Sequence, residues 1–454
     1  MEVRVSSILI ENTPKEARMD NTQTTTRTIG LFGAMAIGVG GMVGGGIFAV
    51  LGLATEIGGG ATPIAFIIAG IVALLTAYSY AKLSVAYPNR GGTVIFIDRA
   101  FGVDFFTGSA NNLLWISYVV TLALYAVAFG NYALTFFGDA TGGLWLHVLI
   151  SVGIILPTAL NLLSSAIVSR TETYVVAIKL AILMLVIVAG FGGVDSSHLA
   201  RETWPVVTQI VAAGMIIFVA YEGFELIANA AEEVKNYKVT LPRAFYGTVL
   251  FVIVLYVLIS IVTVGSLTPE EIAQSADFAL AQAAEPSLGQ FGFTLVAVSA
   301  VLATFSAINA TLYGSARLSY TIATEGELPE TLERKVWGQP VGLLITAVLA
   351  LLLANFFDLS AISTMGSAGF LIIFAIVNAA NFVKSDEIGS TKWIAGLGVA
   401  ACLFALIILV IYTFQTTPSQ VMVLIGMVVA AFIIEGAYLK FWKKAERKKR
   451  IHQK

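Results

Sequence analysis

The sequence predicts an all-α membrane protein whose chain crosses the bilayer twelve times. Three observations predict it. Of 454 residues, 57% are hydrophobic and only 12% charged, about half the charged share of an ordinary soluble domain, and the mean hydropathy is +0.87. Windows of roughly 20 apolar residues, the length that crosses hydrocarbon as a helix, fall at 30–54, 63–87, 105–137, 144–164, 171–191, 205–231, 243–266, 291–321, 340–357, 359–382, 393–415 and 418–441. Placing the N-terminus in the cytoplasm puts 24 of the 26 Lys and Arg residues in cytoplasmic loops and tails, leaving Lys179 inside a span and Arg201 outside. Excess cytoplasmic positive charge is what orients such chains, so an even span count with both termini in the cytoplasm follows.

Several functional classes are excluded at once. The lone Cys402 allows no intramolecular disulfide and no cysteine-rich metal site. His147, His198 and His452 are far apart, and phosphate-loop, HExxH and GxSxG motifs are missing, so no metal, cofactor, nucleic acid or enzyme chemistry is expected. The net charge of −2 says nothing about partners, because the two signs are segregated by side. Residues 1–28 are polar, with Arg4, Lys15, Arg18 and Arg27, and read as a cytoplasmic tail rather than a cleaved signal.

Span 1 holds six glycines in nine residues, Gly38 to Gly46. Each costs up to about 1 kcal/mol against alanine in a helix. Close packing through small residues accounts for one or two of them; the density points to an unwound segment lining a cavity, where irregular backbone is tolerated. Span 5 carries Lys179 nine residues beyond Arg170, roughly 13 Å into the hydrocarbon. A cation there is costly, by about 2.5–3.5 kcal/mol on insertion scales, so the amine is either neutral or solvated by the protein. Span 6 is interrupted at mid-depth by Phe218-Val-Ala-Tyr221-Glu222-Gly223-Phe224-Glu225. The outer loop 267–290 has four acids, no bases and helical spacing of its apolar residues, an amphipathic helix that is either a lid or a surface packing element. The tail from Lys440 to Arg450 anchors span 12 to anionic head groups, with regulation the alternative.

Spans 1 and 6 are the first members of spans 1–5 (about 29–191) and 6–10 (about 205–382). Five is odd, so the two units are oppositely oriented, and matching interruptions in inverted halves point to a midplane substrate site in a secondary transporter. The core is then 29–382, with spans 11 and 12 at 392–441 and a basic tail at 442–454 outside the repeat. Asn111, Asn112, Asn161, Asn229, Asn309 and Asn378 read mainly as interhelical hydrogen-bond partners. Tyr221, Phe218 and Phe224 either gate the pocket or pack, and Glu56 and Glu172 sit near span ends.

The glycine run ending in Gly44-x-Gly46-Ile-Phe48 resembles the span 1 signature of the amino acid–polyamine–organocation (APC) superfamily. The segment Ala231–Ala244 is similar to its linker after span 6, and Ser315–Pro329 to its span 8 exit motif, so the likeness covers essentially the whole chain. Tyr78-Ser-Tyr-Ala-Lys-Leu83 and the span 5 lysine narrow it to prokaryotic, sodium-independent, broad-specificity members in which that lysine replaces a sodium ion. The resemblance implies a LeuT-type fold with a 5+5 inverted repeat, discontinuous spans 1 and 6, and alternating access. It implies proton-coupled amino acid symport at the cell membrane, with protons as coupling ion and a functional monomer. Amides of Gly40, Gly41, Gly44 and Gly45 would hold the substrate carboxylate. Carbonyls near Ala36, Val39, Val219 and Ala220 would accept from its ammonium, with Phe218 and Tyr221 alongside. Lys179 would stand near Gly40 and the hydroxyls of Thr304 or Ser306, and Glu225 matches an acidic position tied to gating or proton sensing. Glu222 departs from the pattern, where an apolar residue is usual: it faces the pocket, to meet a cationic side chain or a second proton, or it faces span 1 or Lys179 as a counter-ion.

An exchanger of amino acids or polyamines would use the same backbone-built site. A channel wants a continuous polar lining, a receptor an appended signalling domain and an ATP-driven pump a nucleotide-binding domain; the sequence offers none of these.

Overall fold

In the computed structural model of the chain, the described residues are 27–138, 143–163, 165–325, 327–328, 335–336 and 339–442. The polar and basic tails, apart from Arg27 and Thr28 and from Trp442, and residues 329–334 lie outside them, as do the side chains of 163–173, including Arg170 and Glu172. Sixteen helices follow in order: α1 (Leu31–Met42), α2 (Gly46–Gly58), α3 (Thr62–Ala86), α4 (Thr93–Phe101), α5 (Phe105–Leu134), α6 (Gly143–Leu163), α7 (Ser165–Gly190), α8 (Val207–Ile216), α9 (Leu226–Asn229), α10 (Tyr237–Ser266), α11 (Pro269–Ser275), α12 (Ala279–Thr324), α13 (Val341–Phe356), α14 (Leu359–Ile388), α15 (Lys392–Thr416) and α16 (Pro418–Ala437). Beyond a two-residue ladder, Lys335–Val336 against Gln339–Pro340, and an isolated parallel bridge between Ile29 and Val234, the described chain is all-α. Ten stretches have the length and apolarity to cross a membrane, and Leu31–Met42 and Val341–Phe356 are shorter apolar helices.

Local chemistry sets the helix boundaries. Asp104 accepts from the amides of Phe106 and Thr107 while Thr107 bonds back, a capping box that starts α5. Thr268 and Glu271 repeat the device at α11, with Pro269 in its first turn. Asp358 caps α14 at the amide of Ala361, and Gly389 ends that helix in the left-handed region. The expected amphipathic outer helix is divided into α11 and the first part of α12 by a short 3-10 turn at Ala276–Phe278, and α12 bends at Gly289 with φ +62°. It packs down on α2, where Gly52 admits the backbone of Ala276.

Helix α5 is the axis of the molecule. Its apolar window is 94% buried, against 28% for α15 and 33% for α16, which stand at the periphery. Helices α12, α14, α6, α13 and α16 pack on α5, while α3 and α10 pair with each other. Polar side chains tie these elements: Asn378 on α14 donates to Thr76 and accepts from Ser79 of α3, and Asn161 on α6 donates to Asn309 on α12.

Candidate functional site

Two chain breaks meet at the centre. In the first, Val43, Gly44 and Gly45 form a turn between α1 and α2. In the second, α8 tightens into a 3-10 turn at Ile217–Tyr221, Glu222 is extended, and Gly223 with φ +117° turns the chain into α9. Gly223 is required twice. Its φ belongs to glycine, and a Cβ there would lie 2.5 Å from the backbone of Gly41 and Met42.

The glycines of span 1 have a second use that the sequence reading undervalued. Gly41 faces the backbone of Gly223, Gly46 faces Ala220, Gly38 faces Ile227, Gly44 faces Ala307, Gly40 faces Val176 and Gly45 lies under the ring of Tyr125. All six admit a close neighbour, and only Val43–Gly45 is unwound. The density reflects packing on several sides as well as a break.

The carbonyls that α1 leaves at its end each find a donor. Val39 accepts from the amide of Val43 at 2.9 Å and Gly41 from that of Gly44 at 3.2 Å. Gly40 accepts from Lys179 Nζ at 3.1 Å, and Met42 from the Tyr256 hydroxyl at 2.6 Å. The Tyr256 oxygen is also 3.2 Å from the carbonyl of Ala220, so one phenol joins both breaks. On the other side, Ser367 accepts from the amide of Val219 at 2.9 Å, and Ser363 and Ser367 both donate to the carbonyl of Ile216 at 2.7 Å. The end of α1 and the start of the second break are thus held by side chains of α7, α10 and α14, which supply partners that a continuous helix would have supplied itself.

A cavity opens beside the breaks, lined by Gly40, Gly41, Tyr118, Tyr125, Glu222, Ser306, Ala307 and Ala310 among others. Through Gly91, Asn229, Gly314 and Leu318 it meets a second hollow that carries Arg90 and Arg317. Glu222 is the one carboxyl on the described lining, and no lysine or arginine joins it. Its Oε2 accepts from the Tyr125 hydroxyl at 3.2 Å. Glu225, 1% exposed, accepts from the Tyr118 hydroxyl at 2.9 Å and from the amide of Gly223 at 2.8 Å.

The remaining expected residues are distributed as follows. Ala36 lies within α1, and the amides of Gly40 and Gly41 fall inside its helical span. Those first free of an intrahelical partner belong to α2, where the amide of Ala49 donates to the carbonyl of Gly45. Lys179 is buried; Thr304 donates to the carbonyls of Ala300 and Val301 in its own helix, and Ser306 reaches the cavity. Tyr221 turns away and donates to the carbonyl of Phe66. Phe218 and Phe224 pack edge-on or tilted against Phe374. Of the six asparagines singled out, Asn229 alone lines the cavity.

Sequence reading missed Tyr118, Tyr125 and Tyr256. A signal for the first two was present: Asn111, Tyr118, Tyr125 and Tyr132 recur every seven residues, which keeps them on one face of α5 with a drift of only about 20° per step. That face meets both breaks, since Tyr125 covers Gly45 and donates to Glu222 while Tyr118 donates to Glu225.

It also missed a carboxyl cluster away from the cavity. Asn111 donates to Asp98 of α4 at 3.1 Å and to Glu327 at 2.6 Å, while Asn112 donates to Glu435 of α16 at 3.2 Å. Burial, and then the charge of Asp98, raises the Glu327 pKa to about 8; burial raises that of Asp98 to about 6.

The amino acid permease family profile matches residues 29–445. An uncharacterized protein of Methanocaldococcus jannaschii is 36% identical over 421 residues, covering 92% of this chain and 97% of its own. The inner membrane transport protein YbaT of Escherichia coli is 34% identical over 411 residues, covering 90% and 95%. Among solved structures, a manganese transporter variant of Eremococcus coleocola superposes with a TM-score of 0.61 at 12% identity, over 94% of this chain and 96% of that one; this likeness concerns the fold alone.

Proposed function

The chain belongs to the amino acid permease family of membrane transporters, and on that premise we propose that it is a secondary transporter taking up amino acids by proton symport through alternating access. The observation that carries the proposal is the Lys179 ammonium on the carbonyl of Gly40, at the end of a broken helix beside the cavity. A protonated amine can do there what a bound metal cation does elsewhere: bind, hold the broken helix against α7, and leave as a proton. Buried lysines change protonation readily. Loss of that proton removes a charge-assisted hydrogen bond, worth about 1.5–3 kcal/mol, enough to bias a two-state equilibrium by roughly 10–150-fold.

In this reading the twelve spans are α1–α2, α3, α5, α6, α7, α8–α9, α10, α12, α13, α14, α15 and α16, and the first ten form two inverted repeats, each starting with a break. The crossing of the breaks at Gly41 and Gly223 supports that pairing. The substrate carboxylate sits at the start of α2, beyond Gly44 and Gly45, where the first amides of α2 and the helix dipole favour an anion. Its ammonium lies toward the carbonyls of Val39, Val219 and Ala220. In this reading the hollow carrying Arg90 and Arg317 is the cytoplasmic mouth, and the conformation faces inward.

Uptake of radiolabelled alanine into proteoliposomes tests the proposal. An inward proton gradient should drive accumulation in the wild type and fail to do so in Lys179→Ala, while binding persists. Accumulation driven by sodium would reject proton coupling, and uptake only against amino acid trapped inside would make the protein an exchanger.

A further inference from the structure

Glu222 stands apart from the rest of the lining. The two carboxyls of the second break divide their tasks. Glu225 accepts from Tyr118 and from the amide of Gly223, holding the turn closed from within. The Glu222 side chain meets that of Glu225 and also reaches the cavity, where the Tyr125 hydroxyl donates to it at 3.2 Å. The described lining offers no basic side chain, and Lys179 is not part of it, its ammonium lying at the carbonyl of Gly40. A carboxyl only 4% exposed is neutralised by a proton or by a cation brought from outside.

Tyr125 fixes how far that carboxyl lies from the start of α2. The edge of its ring covers Gly45, and its hydroxyl donates to Glu222. Ring edge to carboxyl is on the order of 7 Å, one phenol plus one hydrogen bond, about the reach of a four-methylene side chain ending in an amine. A substrate whose α-carboxylate sits by Gly44 and Gly45 could lay such a side chain along the Tyr125 ring and end at Glu222.

Accepting the transporter reading above, on which this rests, we propose that Glu222 selects substrates bearing a second cationic group, so that the preferred cargo is an α-amino acid with an amine or guanidinium at the end of its side chain. The incoming cation takes the place of the proton on Glu222, and the Tyr125 hydroxyl orients the carboxylate that receives it. An uncharged side chain of the same length leaves the carboxyl protonated and forgoes a charge-assisted contact.

The test compares substrates of matched shape and different charge. Lysine is set against norleucine and arginine against citrulline, by calorimetric titration of the purified full-length protein and by competition for uptake into proteoliposomes, for wild type, Glu222→Gln and Glu222→Asp. The charged member of each pair should bind about tenfold or more tightly in the wild type. The ratio should fall to near one in Glu222→Gln and recover in part in Glu222→Asp. Equal binding within each pair in the wild type overturns the proposal without any variant, so a Glu222→Gln protein that fails to fold does not protect it. A preference that survives Glu222→Gln overturns it as well. Binding of alanine, norleucine and citrulline but neither cation rejects this inference and leaves the transporter reading intact. Binding of none of the five amino acids defeats both.

Discussion

Removing a single oxygen tests whether the two breaks are clamped together. In Tyr256→Phe the ring keeps its place, stacked edge-on against Phe66 at 5.6 Å and Tyr221 at 5.3 Å between centroids, so no cavity opens and no apolar burial is lost. What disappears is the hydroxyl that donates to the carbonyl of Met42 at 2.6 Å and stands 3.2 Å from that of Ala220. Met42 is the last residue of α1 and Ala220 lies in a 3-10 turn, and Tyr256 is the partner found for each. A fully buried carbonyl left without a donor costs about 1–3 kcal/mol, more than the net value of an ordinary hydrogen bond. Melting of the purified variant in detergent, followed by tryptophan fluorescence at one scan rate, should therefore fall by a few degrees. Alanine uptake should slow as well, because the same oxygen joins the two segments that must move. A variant that melts within about 1 °C of the wild type and transports at the same rate would refute the clamp.

Three further outcomes follow from the same geometry. Gly223→Ala forces a side chain into φ +117° and drives its Cβ into the backbone of Gly41 and Met42. It should abolish the monodisperse peak in size-exclusion chromatography, and a normal profile would show that the breaks do not cross as described. Ser367→Ala removes the acceptor of the Val219 amide and one donor to Ile216; it should destabilise by about 1–3 kcal/mol, read as a lower melting temperature, and an unshifted melt would argue against it. Glu327 has its pKa raised to about 8 in the folded protein, first by burial. Its folded form therefore binds the proton more tightly than the unfolded chain, and the resulting stability is complete below the ordinary carboxylate range and lost as pH rises through about 8. Melting temperature should decline between pH 5 and pH 9, and Glu327→Gln should flatten that slope; an unchanged slope would remove Glu327 as its source.

The polarity pattern of the chain carried most of the architecture. The run of apolar windows predicted the long helices, and all-α followed, because only internally bonded helices survive in hydrocarbon without a barrel. The interruption at Phe218–Glu225 was legible because charge and glycine are costly at mid-span. Span 1 was only half legible: glycine composition marks it as special but does not distinguish unwinding from close approach. The boundary between the outer helix and span 8 was legible at the polar Glu285–Gln290 segment, and the chain bends there at Gly289 with φ +62°.

Sequence alone determined the membrane class, the existence of two broken helices and the candidacy of Lys179, since each is a one-dimensional conflict between residue type and hydrocarbon. Only tertiary structure decided which atoms resolve those conflicts. Tyr256 comes from α10 to join the carbonyls of Met42 and Ala220, Ser367 comes from α14 to the amide of Val219, and Tyr125 comes from α5 to Glu222. The acceptors and their donors lie about 36 to 214 residues apart in the chain, and hydrogen bonds act over about 3 Å, so no local pattern encodes such a pairing. The fold writes it by crossing two backbones where glycine lets them touch.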